Sequence, residues 1–94
     1  MITDIKRRAI RRSKIIEGQF KGLQKAIENE AYCVDILTQS LAIQRSLASL
    51  NELVLENHLR THVSDALSSS DAEAREKGVA ELLSLYELHN IKGK

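Results

Sequence analysis

Residues 31–67 read AYCVDILTQSLAIQRSLASLNELVLENHLRTHVSDAL, 37 residues without a glycine or a proline. Its apolar positions include Leu37, Leu41, Leu47, Leu50, Val54, Leu55, Leu59, Val63 and Ala66. Nothing breaks the segment, so it predicts one helix, and at ~1.5 Å per residue that helix is on the order of 55 Å long. A chain of 94 residues offers no globule wide enough to cover such a rod. The helix therefore needs partners along its length, and a dimer or larger assembly is expected.

Two shorter helices flank it. The first is expected from about Asp4 to Ile27, with Ile2, Ile5, Ala9, Ile16, Phe20, Leu23 and Ile27 falling mostly at three- and four-residue intervals. Gly18 and Gly22 weaken it locally or permit close packing. Glu28-Asn29-Glu30 closes it without a strong stop signal. After Ser68-Ser69-Ser70, Ser70 and Glu73 match a capping box, which starts a third helix from about Asp71 to Leu88. His89 reads as a surface residue, and the polar tail from Asn90 to Lys94 as frayed. The chain is thus an all-α single domain, residues 1–94, with no helix-turn-helix, zinc-finger or glycine-loop signature.

Charge is uneven. Residues 1–25 hold eight Lys/Arg against two acidic residues, while the remainder holds six against eleven. The basic arm fits either a polyanionic partner or a solvated helix face. Three aromatics (Phe20, Tyr32, Tyr86) are too few for a single-strand stacking surface. One cysteine cannot build a disulfide framework, and no apolar run reaches transmembrane length. A soluble cytoplasmic protein is expected, without a membrane partner or a small organic substrate. No acid–base or nucleophile constellation suggests an enzyme.

Cys33, His58 and His62 carry the chemistry. His58 and His62 are four apart and share a helical face, where they could grip one ion, although such pairs are more often two exposed histidines. Cys33 lies 25 residues before His58, roughly 37 Å along a helix. One straight helix cannot bring all three together; two copies packed antiparallel about residues 46 to 47 can. One thiolate and two imidazoles suit Cu(I), or Zn(II), Ni(II) or Co(II) with a further ligand. Read by itself, Cys33 is equally a small hydrophobe at the start of an apolar run.

Glu17-Gly18-Gln19 with Gly22-Leu23, then Tyr32 through Gln39, then Asn57-His58-Leu59-Arg60-Thr61-His62 resemble the copper-sensitive operon repressor (CsoR)/nickel-cobalt repressor (RcnR) family. These segments span the first and second helices, about two-thirds of the chain. The resemblance implies a three-helix protomer forming an antiparallel four-helix-bundle dimer, two of which associate as a flat tetramer. It also implies a metal-free form that represses by binding double-stranded operator DNA. Metal bound across the dimer interface then releases the promoter of an efflux or resistance gene.

The family's ligand positions carry over to Cys33, His58 and His62. Tyr32 matches a position flanking the metal in copper-sensing members, and so does Glu81 once a three-residue length difference before the third helix is absorbed. Arg12 sits where the family carries a basic residue implicated in operator binding, and Lys6, Arg7, Arg8, Arg11 and Lys14 surround it. Arg45 is a further DNA-facing candidate or a structural ion-pair partner. The N-terminus Met1-Ile2-Thr3-Asp4 lacks the histidine of nickel/cobalt members, and His58 stands where persulfide sensors have cysteine. Formaldehyde sensors commonly carry an acidic residue at the His62 position. The resemblance favours Cu(I) as inducer, with a nickel, cobalt or zinc sensor as the alternative. A formaldehyde-type sensor and a purely structural helical oligomer rank behind these.

Overall fold

The computed structural model describes residues 1–91, and the elements among them are helical: α1 (Thr3–Glu28), α2 (Cys33–His58), a π-helical turn (Leu59–Val63), α3 (Ser64–Ser68) and α4 (Ala72–Ile91). The three expected helices are present, with one difference. The second contains a π turn just after His58, and Ser64 N–H donates to Leu59 O in an i→i+5 bond. His58 and Ser64 keep right-handed helical dihedrals on either side, so the turn widens without stopping the chain. Single π turns inside helices occur frequently at functional sites. The third helix, α4, continues past Leu88 to Ile91. The expectations for the His89 side chain and for residues 92–94 lie outside what is described.

The chain divides into two compact units. The first, Thr3–Val54, holds α1, the turn after it and most of α2. Glu30 N–H donates to Ile27 O and Ala31 N–H to Ala26 O, both near 3 Å. Glu30 itself lies in the left-handed region at φ 51°. This is a Schellman closure with glutamate where glycine is usual, which explains why α1 ends without a sequence stop signal. Ile5, Ile16 and Ile43 are buried in this unit, together with Ser46. Gly18 has open space around it, and Gly22 makes only an ordinary contact with Gln39, so neither is a close-packing position.

Along α2, Val34, Leu37 and Leu41 form a stripe at helical spacing that is half or more exposed (54%, 61% and 50%). An apolar stripe of this kind in water marks an interaction face.

The second unit joins Met1–Ile2 to the chain from Leu55 onward. Here α3 and the π turn pack on α4, burying Val63. The cap of α4 differs from the expected Ser70–Glu73 box. Glu73 N–H donates to Asp71 Oδ1 at 3.1 Å, and Asp71 N–H donates to Ser69 Oγ at 3.1 Å. Arg75 Nη1 also donates to the Ser69 carbonyl at 2.9 Å. Asp71 directly precedes the first helical residue, so its carboxylate reaches the orphan N–H and meets the positive helix end; Ser70 is one position too early.

Candidate metal centre

His58 is the last residue of α2, and His62 lies inside the π turn. Their ring centroids are 4.9 Å apart with planes inclined by 40°. With metal–nitrogen bonds of about 2.0 Å, two imidazoles on one ion have centroids roughly 5 Å apart. The separation of the two rings is in the range of imidazoles that share one ion.

His58 Nε2 donates to Glu81 Oε1, a carboxylate that α4 carries to the π turn. The two side chains are 32% and 48% exposed, so the bond adds little to stability. Its consequence is orientation: with Nε2–H committed to Glu81, the lone pair available to a metal is on Nδ1. His62 is exposed beside it. Arg60 is paired with Glu56 at 2.9 Å. Thr61 Oγ1 donates to the Asn57 carbonyl at 2.8 Å, which braces the turn between the two histidines.

Cys33 is a free, exposed thiol at the first position of α2. Tyr32 precedes it, 73% exposed, and its carbonyl accepts from the Asp35 and Ile36 N–H groups. Cys33 and His58 thus occupy opposite ends of one 26-residue helix. Among the described residues of a single chain, no three His, Cys, Asp or Glu side chains converge to hold a metal ion.

On α1, Lys6, Arg7, Arg8, Arg11 and Lys14 are exposed and Arg12 is half-buried. Arg8 approaches Asp4 at 3.8 Å. Arg45 is exposed on α2.

Two features were not legible in the sequence. One is the π turn. The other is Asn57, buried at 8% exposure, whose Oδ1 accepts the Ile2 N–H at 2.8 Å. No periodicity or motif announces a hydrogen bond between positions so far apart.

The family described as metal-sensitive transcriptional repressor matches residues 5–87, across both units. The chain belongs to that family. This repressor is 41% identical over 75 residues to the copper-sensing transcriptional repressor CsoR of Bacillus subtilis, covering 80% of this chain and 71% of that one. It is 40% identical to the CsoR of Mycobacterium ulcerans over 78% of this chain, but the match spans only 62% of that longer relative. Among solved structures, the copper-sensing repressor CsoR with Cu(I) from Geobacillus thermodenitrificans aligns with a TM-score of 0.73 and 33% identity. That alignment covers all of this chain and 91% of the other. The repressor is therefore a DNA-binding regulator and not an enzyme. Among its described residues no helix is long and apolar enough to cross a membrane.

Proposed function

We propose that this repressor holds operator DNA in its metal-free form and releases it when Cu(I) binds between two protomers. Cys33 of one protomer would supply a thiolate, and His58 and His62 of another would supply imidazoles. The observation that carries the reading is the paired imidazoles, with His58 Nε2 held by Glu81.

Helix length forbids a site within one chain, whereas antiparallel pairing about residues 46 to 47 brings Cys33 level with the two histidines. The exposed Val34, Leu37 and Leu41 stripe supplies an apolar face for that pairing. A thiolate with two imidazoles is a soft donor set suited to three-coordinate Cu(I), and the similar repressors described as copper-sensing support the metal.

When bound, the metal fixes the position of His58 relative to the neighbouring protomer. Glu81 receives that change through Nε2 and passes it to α4, while Tyr32, adjacent to Cys33, lines the same site from the other protomer. Lys6, Arg7, Arg8, Arg11, Arg12 and Lys14, with Arg45, meet operator phosphates from a flat tetramer of two dimers. Loss of that match on metal binding derepresses an efflux or resistance gene in the cytoplasm. Reciprocity requires DNA to weaken copper binding by the same factor.

The test is an anaerobic Cu(I) titration, with Ni(II) in parallel, following release of a fluorescent operator. One copper per protomer with release, both lost in Cys33→Ala, is expected. Release by Ni(II) alone would move the repressor to nickel/cobalt sensing, and release by neither metal would overturn the mechanism.

A further inference from the structure

Gly78 lies buried on α4, facing α3. A Cβ added there would meet Ala66 Cβ at 3.0 Å and Leu67 Cδ2 at 3.4 Å. Carbon atoms settle at about 3.5–4.0 Å, so the first contact is too close. Ala66 Cβ is fixed to the α3 backbone and cannot rotate away. An alanine at 78 would therefore push α4 and α3 apart by a few tenths of an ångström. Glycine inside a helix is also less favourable than alanine by about 1 kcal/mol, so the position works against the intrinsic stability of α4.

Glu81 is three residues after Gly78 on the same face of α4. Ala66 follows the π turn that contains His62 and begins directly after His58. The two partners of the His58–Glu81 hydrogen bond thus stand on either side of the Gly78–Ala66 contact. A hydrogen bond depends on both distance and angle, so a shift of this size along α4 changes how Glu81 meets His58. We propose that Gly78 is a positioning residue that sets the reach of Glu81 to His58, and through it the strength with which metal occupancy is passed to α4. The inference rests on the copper-responsive reading of the His58–Glu81 pair.

The test compares wild type, Gly78→Ala, the double variant Ala66→Gly/Gly78→Ala, and Glu81→Gln. Each is measured for operator affinity with and without Cu(I), copper stoichiometry and the copper X-ray absorption spectrum. In Gly78→Ala, metal-free operator affinity, one copper per protomer and the absorption spectrum are expected to persist. The copper-induced weakening of DNA binding should fall about tenfold, and the double variant should recover it.

Wild-type coupling in Gly78→Ala, or a loss that the double variant does not recover, overturns the proposal. If Gly78→Ala alone does not fold, the double variant still decides, since a folded double variant without coupling also overturns it. Loss of coupling in Glu81→Gln but not in Gly78→Ala refutes the role of Gly78 alone. Full coupling in Glu81→Gln refutes the reading of the metal site, and Gly78 falls with it.

Discussion

The backbone N–H of Ile2 donates to Asn57 Oδ1 at 2.8 Å, tying the chain's second residue to the position immediately before His58. Asn57 is buried, and its own carbonyl accepts from Thr61. One side chain therefore joins the entry to α1 with the turn that holds the histidine pair.

Asn57→Ala removes that acceptor and leaves the Ile2 N–H without it, a loss of about 1–3 kcal/mol. At fixed protomer concentration, thermal melts should show a fall of roughly 4–8 °C for each kcal/mol lost. Asn57→Asp keeps an acceptor oxygen and should lose less. An unchanged melting temperature in the alanine variant would show that the bond contributes nothing net.

Glu30 holds the left-handed position of the closure after α1 at φ 51°, a conformation that disfavours residues with a Cβ by about 1–2 kcal/mol. Glycine has no such penalty but loses more backbone entropy, so Glu30→Gly should stabilise by about 0.5–1 kcal/mol. A higher urea midpoint with an unchanged slope is the expected result. A lower midpoint would mean that the glutamate side chain makes a favourable interaction outweighing its strain.

Asp71 caps α4 through the Glu73 N–H. Asp71→Ala should destabilise by about 0.5–2 kcal/mol, whereas Ser70→Ala should stay within about 0.5 kcal/mol of wild type. Chemical denaturation of both variants distinguishes this cap from the Ser70–Glu73 box that the sequence suggested. Equal losses would restore a role for Ser70.

Arg8 and Arg11 are exposed on α1, and the Arg8–Asp4 contact at 3.8 Å is a surface pair of little stabilising value. If both arginines neutralise operator phosphates, replacing either with alanine should lower the salt slope of log affinity by about 0.9. Fluorescence anisotropy across a salt series measures that slope, and thermal stability should stay unchanged. A slope identical to wild type would remove that arginine from the interface.

Much of the architecture could be read before any coordinates. The absence of breakers over 31–67 and the recurring apolar residues produced the long second helix, because helix period and propensity are local properties. The four-residue spacing of His58 and His62 likewise placed their rings together. The same local rules failed where two choices were close in energy: Ser70 and Asp71 are both good caps, and only the register of the first turn selects Asp71. Glu30 was invisible as a stop because its left-handed conformation is imposed by the closure between helices rather than by its own preference.

By itself, then, the amino-acid sequence determined the helices, the histidine pair, the distant cysteine and the need for a partner chain, all of which follow from periodicity and residue chemistry along one axis. The tertiary structure decided the rest: the π turn after His58, the Asn57 clasp on Ile2, and the packing of α4 against α3 and the π turn, with Glu81 on His58. These depend on contacts between segments distant in sequence, where packing and hydrogen-bond satisfaction select among conformations that local propensity leaves nearly equal.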